Sequence, residues 1–147
     1  AERAKKAEAE GRTPSVLDDV ARGLPALMRA EKLQKRAARV GGDWPTAEPV
    51  FDKVREELDE VHEVIEAGGD PDKLEDELGD LLFTCVNLAR KLGTDPETAL
   101  RRTISKFERR FRAVEALAAR DGTSLKDMNI DQLEELWVKA KATDPSS

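Results

Sequence analysis

The chain has 147 residues, of which 38% are charged and 4% aromatic, with no tyrosine and a net charge of −6. That length suits one domain with a real core, and the composition excludes a sandwich or a Rossmann fold in favour of a charged helical bundle. The acidic balance argues against a nucleic-acid binder working through a basic surface. The lone cysteine, Cys85, excludes an intrachain disulfide.

Residues 1–12 are rich in Ala, Glu and Lys without a clear apolar face, so a frayed helix or linker is expected over about 1–14. Ser15 is placed to cap a short helical segment through Arg22. A longer helix then begins near Pro25, whose missing N–H costs nothing in a first turn, and ends at Gly41-Gly42. The loop Gly42-Asp43-Trp44-Pro45 follows. Thr46 is the expected cap of the next helix, with Pro49 in its first turn.

In that helix Val50, Phe51, Val54, Leu58, Val61 and Ile65 recur at helical spacing and form one apolar stripe. At about 100° per residue, Glu57 and Glu60 fall on one flank of the stripe beside Lys53, and Glu56 points nearly opposite it. Gly68-Gly69-Asp70-Pro71 is a turn that starts a new helix, with Asp70 at the N-cap and Pro71 at the first position. This helix turns Leu74, Leu78, Leu81, Leu82, Cys85, Val86 and Ala89 inward, so Cys85 is expected to be a buried thiol. Glu77 and Asp80 share one of its flanks. The short connection makes the two helices antiparallel neighbours.

A fourth helix runs from about Pro96 to Arg120 and carries the basic stretch Lys106–Arg112, with Lys106 and Arg110 one turn apart. The last helix runs from about Asp131 to Ala142 and is followed by a tail at 143–147.

Four carboxylates gathered by two neighbouring helices repel one another unless a cation sits among them. Oxygen-only ligands of this kind suit Mg²⁺ or Mn²⁺, and a metal that grips phosphate is the natural reading. Solvated acidic faces are the other reading that these residues allow. Lys106 and Arg110 have the chemistry to back such a metal by gripping phosphate, or serve as surface ion-pair partners. His62 is the only histidine, which removes a di-iron carboxylate bundle and any Ser-His or Cys-His dyad. Trp44 and Trp137 suit either nucleobase stacking or packing within the bundle.

The motif Glu56-Glu57-x-x-Glu60 followed by Glu77-x-x-Asp80 resembles that of the MazG-type nucleoside triphosphate pyrophosphohydrolases, within the all-α NTP pyrophosphatase group. The stretches LPALMRAEKLQKRAARVG, Asp43-Trp44, KLEDELGDLLFTCVNLARKLGTDPETAL, KFERRFR and Glu134–Trp137 extend the likeness over about 15–142. It resembles the C-terminal, catalytic half of two-domain bacterial members.

The resemblance implies an all-α helical bundle with a central antiparallel helix hairpin, its four-helix-bundle core completed by homodimerisation. It implies Mg²⁺, with Mn²⁺ possible, ligated by Glu57, Glu60, Glu77 and Asp80. Lys53, Lys106, Arg109, Arg110, Trp137 and Lys141 match substrate-binding positions, and Glu56 is the candidate for orienting the attacking water. The implied reaction is Mg-dependent hydrolysis of a nucleoside triphosphate to the monophosphate and pyrophosphate, a house-cleaning of nucleotide pools by a cytoplasmic enzyme with no nucleic-acid or membrane partner. The alternative is a non-catalytic dimerisation or regulatory module of a larger protein. Gly42 departs from the family, which usually carries an aromatic before the Asp-Trp pair.

Overall fold

A computed structural model describes residues 2–146. They form α1 (Glu2–Ala9), α2 (Ala26–Ala38), α3 (Glu48–Glu66), α4 (Pro71–Lys91), α5 (Pro96–Arg120) and α6 (Ile130–Thr143), with a short 3₁₀ turn at Leu125–Asp127. No strand occurs among the described residues, so the fold is all-α as the composition requires. None of the helices is long and apolar enough to cross a membrane. The chain divides into two compact units, one ending at Glu97 and one starting at Thr98.

The first unit is built on the α3–α4 hairpin, with α2 laid against α4. Asp70 caps α4 by accepting from the Asp72 amide at 3.2 Å, and Pro71 occupies the first turn. Such a cap contributes about 1 kcal/mol. Gly68 and Gly69 take φ of 116° and 70°, a backbone that side-chain-bearing residues adopt only with strain, which is what turns α3 back on α4 within four residues. Val50 and Val86 are buried at the hairpin. Gln34 ties α2 to α4 by donating from Nε2 to the Phe83 carbonyl at 3.0 Å.

Several local expectations are corrected. Ala47, not Thr46, is the N-cap of α3, and no side chain bonds the first turn there. Residues 15–22 form turns rather than a helix. Asp18 takes the Ser15 amide at 2.9 Å, Asp19 adopts φ 69°, and Arg36 donates to the carbonyls of Val16 and Asp18, so side chains satisfy the backbone that a helix would have used. Residues 2–9 are helical, and Ala7 is fully buried.

The apolar stripes are only half covered. Leu58 and Ile65 on α3 and Leu78 and Leu82 on α4 are exposed, and so is Cys85, against the expected burial of its thiol.

In the second unit Val114 and Ala118 of α5 pack on Leu136 and Ala140 of α6, with Leu117, Leu125, Met128 and Trp137 around them. Asn129 and Gln132 close a reciprocal capping box at the start of α6. Ile104, Phe107 and Phe111 remain exposed along α5.

Candidate metal centre

On α3, Glu57 and Glu60 stand three residues apart and share a face, and the antiparallel hairpin brings Glu77 of α4 alongside them. One carboxylate oxygen from each of the three lies within 4.8 Å of the other two. Glu57 is only 6% exposed, and Glu60 and Glu77 are half-buried. Lys53, one turn before Glu57, sets its ammonium 3.3 Å from Glu57 Oε1 and 3.1 Å from Glu56 Oε1. Two carboxylate oxygens, Glu57 Oε2 and Glu77 Oε2, are buried and have no hydrogen-bond partner.

Three close carboxylates with one half-exposed lysine leave negative charge uncompensated. Burial pushes the Glu57 carboxyl up, against the pull of Lys53, and its neighbour Glu60 adds to the rise. Glu60 is raised chiefly by its hydrogen-bonding contact with Glu77. Glu56 and then Glu57 hold the Lys53 ammonium above its ordinary value. Two buried carboxylate oxygens without partners cost free energy as they stand. A hard divalent cation would satisfy both, and an all-oxygen donor set is the one Mg²⁺ or Mn²⁺ prefers. The residues present therefore fit a metal.

Asp80 stands outside this group. It is exposed on α4, and its backbone carbonyl accepts from Thr84 Oγ1 at 2.8 Å. Glu56 is exposed and engaged by Lys53. Beside the cluster lies a cleft of about 340 Å³ lined by Glu60, Glu63, Val64, Asp70, Lys73 and Glu77. Lys73 was missed from sequence, although it precedes Glu77 by four residues and so falls on the same side of α4.

The loop before α3 is clamped to the end of α4. Arg90 donates to both oxygens of Asp43, and Lys91 donates to Asp43 at 3.2 Å and to the Trp44 carbonyl at 2.6 Å. Arg90 in particular holds the Asp43 carboxyl down at about 2. Trp44 keeps its side of the loop exposed. At Gly42 a Cβ would meet the Ala37 carbonyl oxygen at 3.0 Å, so the absent aromatic leaves a tight backbone return rather than a gap.

The remaining sequence-derived positions lie in the second unit. Lys106 and Arg109 line a cleft of about 710 Å³ together with Arg101, Arg102, Ser105 and Ser146. Arg110 is turned toward the C-terminal segment, its Nε donating to Asp144 Oδ2 at 2.7 Å. Trp137 is half-buried and packs against Phe107 with ring centroids 5.6 Å apart. Lys141 is exposed one turn beyond it.

Comparison with known proteins places this geometry in a family. The MazG nucleotide pyrophosphohydrolase domain family matches residues 46–114, which include the acidic hairpin. The chain is 53% identical over 141 residues to the nucleoside triphosphate pyrophosphohydrolase of Escherichia coli K12, covering 95% of this chain and 52% of that protein. It is 46% identical over 121 residues to the nucleoside triphosphate pyrophosphohydrolase/pyrophosphatase MazG of Thermotoga maritima, covering 82% of this chain and 46% of that one. The chain thus spans about half the length of these relatives. The hairpin that carries Glu57, Glu60 and Glu77 thus lies in a MazG nucleotide pyrophosphohydrolase domain.

Proposed function

We propose that this chain hydrolyses nucleoside triphosphates to the monophosphate and pyrophosphate with Mg²⁺, or Mn²⁺ in its place, held by Glu57, Glu60, Glu77 and Asp80. The observation that carries the reading is the three-carboxylate cluster with two buried oxygens lacking partners. The names of the Escherichia coli and Thermotoga relatives, both nucleoside triphosphate pyrophosphohydrolases, supply the reaction class.

When bound, the metal supplies neutralisation of phosphate charge and a water of lowered pKa. The chain's own residues do the rest. Glu56, exposed at the edge of the cluster, orients the attacking water. Lys53 gives up its contact with Glu57 and takes a phosphate oxygen. Lys106, Arg109 and Arg110 grip the triphosphate and steady the charge that builds on the departing pyrophosphate. Trp137 and Lys141 hold the nucleoside end. The reaction needs no covalent intermediate, which suits a chain without a histidine-activated nucleophile.

The active form in this reading is a cytoplasmic homodimer. The exposed Leu58, Ile65, Leu78 and Leu82 form the kind of contiguous apolar face that a second copy covers.

Pyrophosphate release from a panel of normal, deoxy and modified triphosphates is the direct test. Release is expected to require Mg²⁺ and to fail in folded Glu57→Gln and Glu77→Gln protein. Full activity in both variants would refute the metal assignment, and absence of nucleotide binding in the wild type would favour a non-catalytic module.

A further inference from the structure

The C-terminal residues beyond α6 look like a dispensable tail by composition, yet Asp144 is among the most buried charged groups of the second unit, its side chain 2% exposed. Its carboxylate collects an unusual number of donors. Arg109 donates from Nε and Nη2 to Oδ1, both at 3.2 Å, and Arg110 donates from Nε to Oδ2 at 2.7 Å. The Ser146 amide and hydroxyl both bond Oδ1 at 3.0 Å. Arg109 Nη2 also donates to Ser146 Oγ at 2.8 Å. Ser146 and Arg109 then form part of the wall of the basic cleft that contains Lys106, Arg101 and Arg102.

We propose that Asp144 is a positioning residue, fixing Arg109 and Arg110 so that their guanidinium groups meet substrate phosphate already oriented. The proposal rests on the phosphate role given above to those two arginines. A free Arg side chain loses rotamer entropy when it binds, and a guanidinium anchored through one edge has less of it left to lose. Asp144 takes the Nε edge of both arginines. Arg109 Nη1 makes no hydrogen bond among the described residues.

A competing reading would have Asp144 mimic phosphate and block the arginines until substrate displaces it. The burial speaks against exchange. A carboxylate that also holds its own following backbone amide, and ends α6 as its C-cap, is built into the fold. Displacing it would strip a buried carboxylate of five hydrogen bonds.

The two readings predict opposite signs. Inorganic pyrophosphate binding, measured by calorimetry on the full chain with Mg²⁺ present, is expected to weaken about tenfold in Asp144→Asn, the worth of roughly one charge-assisted hydrogen bond. Ser146→Ala, which leaves the carboxylate and its arginines in place, is expected to weaken binding about twofold. It serves as the readout if Asp144→Asn does not fold. In an Arg109→Ala/Arg110→Ala background, Asp144→Asn should change nothing further, which a merely structural role would not produce. Unchanged or tighter pyrophosphate binding in Asp144→Asn, unchanged binding in Ser146→Ala, or a full further loss in the double-alanine background, would each overturn the proposal. Asp144-dependent pyrophosphate binding by a chain that hydrolyses no triphosphate would support Asp144's role while sinking the hydrolase reading.

Discussion

Glu57→Gln separates the cost of the acidic cluster from its use. In the metal-free chain, Glu57 faces carboxylate oxygens of Glu60 and Glu77 within 4.8 Å. At an effective dielectric of about 20, each repulsion is worth about 3–4 kcal/mol, and the Lys53 ammonium at 3.3 Å returns about 5 kcal/mol. The balance runs about 2 kcal/mol against an ionised Glu57, and burial acts in the same direction. The neutral amide removes the repulsion and loses the ion pair, so the variant should be more stable in EDTA by about 1–2 kcal/mol. For a chain of this size that is an upward shift in Tm of roughly 3–6 °C. Because the Glu57 pKa is raised, the wild type loses stability as pH climbs from the ordinary carboxylate value to the raised one. The gap between the proteins should therefore open over that interval and close at lower pH. With Mg²⁺ added the order reverses: the wild type gains stability by mass action, and the variant gains little. Thermal melts at several pH values, with and without Mg²⁺, measure all of this. A Glu57→Gln protein less stable than wild type in EDTA at pH 7 would refute the charge accounting.

Asp43→Asn should cost stability at neutral pH. The drop from 3.8 to about 2 corresponds to about 2.5 kcal/mol, which solvent screening reduces to about 1–2 kcal/mol. Because that pKa is depressed, the wild-type advantage is present above about pH 4 and vanishes as pH falls toward 2, which urea titrations at pH 3, 5 and 7 resolve. Gly79→Ala should stabilise the metal-free chain by about 1 kcal/mol, since a Cβ there meets nothing within 4 Å. A loss of stability in denaturant titration would mean that the space is filled in solution. Cys85 is exposed on α4 three residues after Leu82, so a dimer covering that stripe should slow its reaction with a thiol reagent as protein concentration rises. Concentration-independent reactivity would count against the apolar stripe as the dimer contact.

How much was legible in the sequence depended on whether the information was local and periodic. The hairpin was readable because two apolar stripes at helical spacing flank Gly68-Gly69-Asp70-Pro71, and each of those four residues has one conformational use there. The gathering of Glu57, Glu60 and Glu77 followed from the angle of each to its stripe. Thr46 failed as a cap, and Ser15, whose Oγ accepts the Leu17 amide at 3.1 Å, caps a turn and not a helix, because N-cap preference is weak beside the contacts that place the chain, such as Arg36 reaching the carbonyls of Val16 and Asp18. The half exposure of Leu78, Leu82 and Cys85 was hidden for a different reason: periodicity reports that a face is apolar, not what covers it. Asp144 gave no signal at all, because a single carboxylate in a Pro/Ser-rich terminus has no pattern until α5 delivers Arg109 and Arg110 to it.

Asp80 is the position where sequence and structure pull apart, and the same measurements decide it. Spacing puts it on the flank of Glu77, three residues and just under a full turn later, yet its side chain stays exposed while three glutamates converge. An exposed carboxylate outside the cluster bears little of the repulsion that strains Glu57. Asp80→Asn should therefore leave the stability in EDTA within about 0.5 kcal/mol of wild type, in contrast to Glu57→Gln. If Asp80 swings in to complete the donor set, the variant should nonetheless bind Mg²⁺ about tenfold more weakly, a loss of about 1.4 kcal/mol visible by calorimetry. The combination of unchanged metal-free stability and weakened metal binding belongs only to a ligand recruited by the ion. Wild-type Mg²⁺ affinity in Asp80→Asn would reduce the centre to Glu57, Glu60 and Glu77.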